Sequence, residues 1–172
     1  MTLPARGQAA PPVSPAFERL FRAEYARVVG IAQRILGDQQ EAEDVAQEVF
    51  VSFYRAHPAE ADYASAWLCA AASHSALNAA RARGRRERRE AAEAVAAHAA
   101  ADDDPTATVT GSETRDEVRA ILARLPERSA TLLVLRYSGL SYAEIAKALD
   151  VRASSVGTLL RRAEDAFRRE LR

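Results

Sequence analysis

LRYSGLSYAEIAKALDVRASSVGTLLRR, residues 135–162, contains the pattern that decides the fold of this chain. Gly139 predicts the end of one helix, and Ser141 with Glu144 three residues later forms a capping-box pattern that begins the next. A short helix followed by a tight turn and a longer, basic helix predicts a helix–turn–helix. The apolar side of the last helix is predicted to consist of Val156, Leu160, Ala163 and Phe167.

The opposite side of that last helix is polar and basic. Hydroxyl and guanidinium groups suit the phosphate oxygens and base edges of the major groove of DNA. The alternative is a plain amphipathic helix with a solvated arginine face, which the tight turn and the capped preceding helix disfavour. The predicted duplex-binding residues are Arg152, Ser154, Ser155, Thr158, Arg161 and Arg162.

The N-terminal half of the chain also has helical periodicity, which predicts a three-helix module within residues 16–89. In the second of these helices an apolar side opposes an acidic side, at three- and four-residue spacing. A mostly acidic face suits a basic helix of a partner, although a solvated surface face has the same pattern. The acidic side consists of Glu41, Asp44, Gln47, Glu48 and Val51.

Two segments of the chain are similar to a known family. Leu125-Pro126-Glu127-Arg128 and residues 135–146 resemble region 4 of ECF (extracytoplasmic function) sigma factors, almost residue for residue. The segment AEDVAQEVF, residues 42–50, resembles region 2.2 of the same family. The resemblance implies that the C-terminal module reads the minus-thirty-five promoter element. It also implies that the acidic helix binds the beta-prime clamp helices of core RNA polymerase, with the beta flap as a further contact.

One face of the third predicted helix carries His74, Asn78, Arg81 and Arg85, which recur at spacings of four, three and four residues. By resemblance this face belongs to regions 2.3 and 2.4, where a flipped minus-ten base is held and the separated strand is bound. The chain departs from the family at His74, where asparagine is usual, and in the preceding loop, which lacks a Phe-Arg-Gly pattern. Gly157 and Leu159 stand where the recognition helix is often basic, which predicts fewer phosphate contacts.

The overall composition excludes several classes of site. The chain has 24 basic and 24 acidic residues, but the charges are segregated into an acidic block at 38–48 and an arginine-rich block at 81–89. Cys69 is the one cysteine, so an intrachain disulfide and a cysteine-cluster metal site are excluded. No apolar run approaches the length that spans a membrane. We expect no catalytic residue, no metal, no cofactor, no membrane insertion and a cytoplasmic location.

The domain boundaries follow from changes in composition. Residues 1–15 are Pro- and Ala-rich and predict a disordered tail, and residues 90–114 have too few large apolar side chains to build a core, which predicts a flexible linker. The C-terminal domain is then 115–172. Three consecutive aspartates, 102–104, make the linker similar to the family segment that passes through the polymerase active cleft, and a soluble spacer is an equal alternative.

These observations predict an all-α protein with two small helical domains joined by a flexible linker. By resemblance, the chain is expected to be a sigma factor, and not an enzyme. It would bind core polymerase, melt the minus-ten region and read the minus-thirty-five element, with an anti-sigma factor as a further partner. The alternative is a one-component helix–turn–helix regulator that acts without polymerase, for which the acidic helix face has no evident use.

Overall fold

The computed structural model of the chain describes residues 13–97 and 111–172, in which all regular structure is helical. The predicted all-α class is therefore confirmed for this part of the chain. The helices are α1 (Pro15–Leu36), α2 (Gln39–Ala56), α3 (Ala64–Ala97), α4 (Gly111–Arg124), α5 (Glu127–Tyr137), α6 (Tyr142–Leu149) and α7 (Ala153–Glu170).

Local sequence signals set the ends of the first helices. The Ser14 hydroxyl accepts a hydrogen bond from the Phe17 amide (3.2 Å) and begins α1. Gly37 ends α1 with a φ of 76°, a left-handed conformation that costs least for a residue without a Cβ. The Asp38 carboxylate then accepts from the Glu41 amide (2.8 Å) and begins α2, so only two residues separate α1 from α2.

The three N-terminal helices share one apolar core, in which α1 packs against both α2 and α3. Phe53, Ile31 and Leu68 are fully buried there. Each contributes about 1.5–3 kcal/mol relative to an exposed side chain. Trp67 packs against the edge of this core, with its ring centroid 5.4 Å from that of Phe53.

The C-terminal helices form the predicted helix–turn–helix. The capping box is present in full, because the Ser141 hydroxyl accepts from the Glu144 amide (3.2 Å) and the Glu144 carboxylate accepts from the Ser141 amide (2.7 Å). Asp150 has a φ of 49° and ends α6, which turns the chain into α7. The buried side of α7 consists of Val156, Leu160 and Ala163, with Phe167 partly buried beside them.

The two modules pack directly against each other. α3 contacts α5 and α6, α1 contacts α4 and α5, and the buried apolar residues of both modules form one continuous cluster. The sequence does not predict this contact, because periodicity shows only that a helix has an apolar side and not which distant helix covers it. The arrangement brings the third helix against the C-terminal module, which matters for the site described below.

The described ends of the predicted linker and tail are helical. α3 continues through residues 90–97, α4 begins at Gly111, and α1 begins at Pro15. Alanine is abundant in the extension of α3, and alanine costs least in a helix, which explains why it continues past the predicted boundary. Residues 98–110, with the three aspartates, and residues 1–12 lie outside the described part.

Two further properties of the described residues bear on function. Among residues 13–97 and 111–172, no helix is long and apolar enough to cross a membrane. In the same ranges, no group of three or more His, Cys, Asp or Glu side chains is arranged to hold a metal ion.

Candidate functional site

The acidic side of α2 faces solvent along its whole length. The apolar residues of the opposite side are buried against α1 and α3, which fixes the rotation of the helix. Glu41 differs from the rest, because Arg83 donates to its carboxylate (3.0 Å) and partly neutralises it. The exposed residues are Glu41, Asp44, Gln47, Glu48 and Val51, as predicted from their spacing.

The predicted minus-ten face of α3 forms a connected polar network. Asn78 donates from Nδ2 to His74 Nε2 (3.0 Å), which places both side chains on one face as their spacing predicts. His74 Nδ1 contacts a carboxylate oxygen of Glu127, the first residue of α5. Two of the predicted single-strand-binding residues are thus connected to the C-terminal module.

Arg81 is the most enclosed of the four residues predicted on this face, with 21% of its side chain exposed. Its Nε donates to the Ala123 carbonyl (3.1 Å), and its Nη2 donates to the Leu125 carbonyl (2.9 Å). These carbonyls lie at the end of α4, where backbone acceptors lack helical partners and a cation is favoured. Arg85, one turn later, is exposed.

Arg83 has a structural role that the sequence does not reveal. It donates to the Leu36 carbonyl (2.9 Å) at the end of α1 and also to Glu41 on α2. One arginine of the basic block therefore joins three helices of the N-terminal module. The sequence does not distinguish Arg83 from arginines of the block that could bind phosphate. The Leu36 acceptor is a backbone oxygen, which every residue has.

The polar side of α7 is open to solvent. Arg152, Ser154, Thr158, Arg161 and Arg162 are exposed, and Ser155 is half-buried. Arg152 is the N-cap residue immediately before α7, so a guanidinium stands beside the free backbone amides of the first turn. The geometry is that of a helix able to enter a major groove with hydroxyl and guanidinium groups foremost.

Gly157 and Leu159 lie on the packed side of the recognition helix. A Cβ at position 157 would meet the Tyr142 ring at 3.6 Å, and Leu159 packs against the apolar cluster. Both positions are half-buried, and Leu159 contributes to the packing of α7.

A charged cluster connects α1 to the start of α6. Arg27 donates to Glu144 (3.1 Å), and its Nη1 lies 3.9 Å from Glu24. Burial acts to lower the pKa of Arg27, but the hydrogen bond to Glu144 and the nearby negative charges outweigh it, and the net pKa is raised. The hydrogen bonds from the Ser141 amide and hydroxyl, with Arg27, hold the pKa of Glu144 below its usual value.

Cys69 lies fully buried near this cluster. Burial raises the pKa of its thiol to about 11, and the nearby Arg27 charge opposes this only in part. A thiol in that state is neutral at physiological pH and is a poor nucleophile and a poor metal ligand. Cys69 therefore belongs to the core.

Comparison with known proteins assigns both halves of the chain. The Sigma-70 region 2 family matches residues 20–86, and the Sigma-70 region 4 family matches residues 115–166. The RNA polymerase sigma-H factor of Pseudomonas aeruginosa is 33% identical over 168 residues, which cover 91% of this chain and 86% of that protein. The chain belongs to the sigma-70 family of RNA polymerase sigma factors. The family membership expected from the two motifs is confirmed.

Further relatives place this sigma factor in the ECF group. The ECF RNA polymerase sigma factor SigE of Mycolicibacterium smegmatis is 29% identical over 156 residues, covering 90% of this chain and 61% of that protein. A solved structure with the same fold is the sigma factor RpoE of Bartonella quintana in complex with the anti-sigma factor NepR. It has a TM-score of 0.52 and 15% identity, and the match covers 92% of this chain and 98% of that one.

The family regions coincide with the modules of the structure. Region 2 contains most of α1, all of α2 and the packed part of α3, and region 4 extends from α4 into α7. The acidic face and the polar face of α3 thus lie in region 2, and the recognition helix lies in region 4.

Proposed function

We propose that this sigma factor binds core RNA polymerase and directs promoter-specific initiation through three separate faces. The observation that supports this most directly is that the acidic side of α2 and the basic side of α7 are both exposed on one chain. A protein that bound only duplex DNA would use the exposed side of α7 and would have no use for the acidic side of α2. The acidic face suits a second, basic partner.

The polymerase contact would be made by α2. Asp44, Gln47, Glu48 and Val51 present two carboxylates and one amide around a small apolar residue, on a helix whose other side is anchored in the core. Charges on such a rigid surface contribute orientation and association rate, and the apolar residue contributes burial. By the resemblance of residues 42–50 to region 2.2, the partner of α2 would be the beta-prime clamp helices, and region 4 would bind the beta flap.

The two DNA contacts would divide between the modules. α7 would read the minus-thirty-five duplex with Arg152, Ser154, Ser155, Thr158, Arg161 and Arg162, where guanidinium groups bind phosphates and bases. The face of α3 with His74, Asn78, Arg81 and Arg85 would hold the separated minus-ten strand. Extruding a base costs a few kcal/mol, which backbone contacts on this face would offset.

Control by an anti-sigma factor belongs to the same proposal. A structural neighbour of this chain is a sigma factor in complex with such a protein. We place the action of this sigma factor in the cytoplasm, where its polymerase is, and we assign it no catalytic activity of its own.

The test of the polymerase contact is charge reversal on α2. Asp44→Arg with Glu48→Arg is expected to abolish binding to core polymerase without loss of helicity, because both side chains point away from the core. The matched control is Glu90→Arg with Glu93→Arg, which makes the same change of charge on an exposed stretch of α3. Equal core affinity for both double variants, measured by anisotropy of labelled sigma factor, would overturn the assignment and favour a regulator that acts on duplex DNA alone.

A further inference from the structure

We propose that the crevice between α3 and α4 is a binding site for a short chain of phosphate groups, supplied either by inorganic polyphosphate or by a nucleotide. The crevice has a volume of about 910 Å³, which is in the range of small-molecule sites, and residues 35–38 at the turn between α1 and α2 also line it. Six arginines and three acidic residues face it, so its walls carry a net positive charge.

The backbone acceptors that would repel an anion from this crevice are already bound. Arg83 donates to the Leu36 carbonyl (2.9 Å) at the end of α1, and Arg81 donates to the Ala123 carbonyl (3.1 Å) near the end of α4. The carboxyl end of a helix otherwise carries a partial negative charge. Because a guanidinium covers each of these ends, the crevice remains favourable to a negatively charged ligand.

The carboxylates of the crevice each have a partner within the protein. Asp116 binds Arg119 with an N–O distance of 2.6 Å, and Glu87 lies 4.0 Å from Arg83. The third carboxylate, that of Asp38, caps α2 and accepts from a backbone amide. These groups are therefore engaged away from the arginines that remain.

Two guanidinium groups on the α3 side of the crevice are available to a ligand, those of Arg85 and Arg88. Within residues 13–97 and 111–172, neither side chain forms an ion pair or donates a hydrogen bond. They are three positions apart in a helix and so lie on the same side of it. Guanidinium groups bind phosphate oxygens through paired hydrogen bonds. A chain of phosphates can engage both arginines, and a single phosphate presents its charge at one point.

Gly84 leaves the α3 wall of the crevice without a side chain next to these arginines. Glycine inside a helix costs about 1 kcal/mol relative to alanine. Among the described residues, a Cβ at this position would meet only Nη1 of Arg88, at 3.5 Å. Packing against another helix therefore does not require a glycine here. The bare backbone instead allows a ligand to approach α3 closely beside Arg88.

A bound polyphosphate would also affect DNA binding. Arg85 lines this crevice and belongs to the proposed minus-ten face, so the ligand and a separated DNA strand would compete for it. This consequence rests on the function proposed above. The binding of the phosphate chain itself does not depend on it.

The experiment is a calorimetric titration of the full chain with inorganic tripolyphosphate, at fixed ionic strength and without divalent metal ions. Arg88→Gln removes one guanidinium from the crevice, and Arg86→Gln makes the same charge change at an exposed position of α3 outside it. Gly84→Met places a side chain in the crevice without a change of charge, and methionine is the better helix former. Its control is Ala92→Met, at an exposed position further along α3.

The wild type is expected to bind one tripolyphosphate. Arg88→Gln should bind about tenfold more weakly, because hydrogen bonds to charged groups are lost, and Arg86→Gln should stay within about a factor of two of the wild type. Gly84→Met should lose most of the binding, and Ala92→Met should keep it. No binding by the wild type, an equal loss in Arg88→Gln and Arg86→Gln, or unchanged binding by Gly84→Met would overturn the site.

Parallel titrations with adenosine triphosphate and with a short DNA single strand identify the source of the phosphates. Tighter binding of adenosine triphosphate than of tripolyphosphate would identify a nucleotide as the ligand, and equal or weaker binding would identify the phosphate chain alone. If tripolyphosphate is not bound and Arg88→Gln weakens strand binding, the crevice belongs to the path of the DNA. The proposal is then wrong, and the proposed function stands. Failure of the wild type to bind core polymerase would instead contradict the proposed function and leave the phosphate site intact.

Discussion

Arg27 and Glu144 lie 117 positions apart in the sequence and form an ion pair with an N–O distance of 3.1 Å that joins α1 of region 2 to α6 of region 4. Glu144 is at the same time the third residue of α6, where its other oxygen accepts from the Ser141 amide (2.7 Å). The Glu144 carboxylate thus belongs to the capping box of α6 and also contacts region 2. Removing it affects local helix stability and the packing of the modules together.

The lowered pKa of Glu144 predicts a pH dependence of stability. A group with a depressed folded-state pKa contributes stability above its unfolded value, about 4.3, and that stability is lost as pH falls through the folded pKa. The Glu144→Gln variant keeps a capping-box residue but loses the charge. We expect wild type to be the more stable at pH 7 and the difference to shrink in acid, measured by urea unfolding. Glu93→Gln, on the exposed stretch of α3, should show no such convergence.

The contribution of the Ser141 cap to the stability of the fold can be measured separately. Ser141→Ala removes the hydroxyl that accepts from the Glu144 amide and should destabilise the fold by about 1 kcal/mol. Ser52→Ala, at an exposed position inside α2, should have no cost or a slight gain, since alanine is the better helix former. Denaturant midpoints of the two variants give the comparison. Equal midpoints would mean that this cap contributes nothing.

Duplex recognition by α7 predicts a change in salt dependence. Arg161→Ala should weaken binding to a promoter duplex and reduce the slope of log affinity against log salt by about one, because the variant neutralises one phosphate fewer. Arg22→Ala removes the same charge from a site on α1 that is 77% exposed, and its slope should stay that of wild type. Identical slopes for Arg161→Ala and wild type would remove Arg161 from the interface.

Cys69 should resist modification in the folded protein. With a pKa of about 11, roughly one thiol in ten thousand is ionised at pH 7, and the side chain is fully buried. A thiol reagent should therefore react only after denaturation. A Ser52→Cys variant should gain one fast-reacting thiol, which serves as the positive control. Fast reaction of the native wild type would contradict the burial of Cys69.

Phe53 is the core side chain whose truncation should destabilise the fold most. It is fully buried and packs against Trp67, so Phe53→Ala should cost about 3–5 kcal/mol. Emission of Trp67, the one tryptophan, reports the unfolding directly. Tyr54→Ala, at the next position but 41% exposed, should cost much less. A similar loss of unfolding free energy in both variants would contradict the prediction that Phe53 lies on the buried side of α2 and Tyr54 on its exposed side.

Much of the fold can be predicted from local signals. Gly37, Asp38, Ser141 and Gly139 each mark a helix end by a mechanism confined to a few residues, and the structure has an end at each of them. The apolar side of α7 follows from its spacing in the same way. These interactions are decided within one turn, so the sequence displays them.

The candidate site is less predictable where a side chain binds distant backbone. Spacing alone places His74, Asn78 and Arg81 on one face, and that is observed. It does not show that Arg81 donates to carbonyls 42 and 44 positions away, or that Arg83 caps α1. Backbone acceptors have no sequence signature. The sequence therefore does not distinguish an arginine that binds backbone carbonyls from one that binds a phosphate.

Because α3 is long, its two ends should differ in how strongly their amide hydrogens are protected from exchange with solvent. It has 34 residues and so extends for about 50 Å, but its buried side chains lie before Ala80 and residues 85–94 are exposed throughout. Amide hydrogens near Leu68 and Leu77 should exchange with solvent only when the core unfolds globally. Those at 85–94 depend on intrinsic helix propensity and should exchange by local fraying, orders of magnitude faster. On heating, the far end of α3 should therefore melt gradually ahead of the cooperative transition.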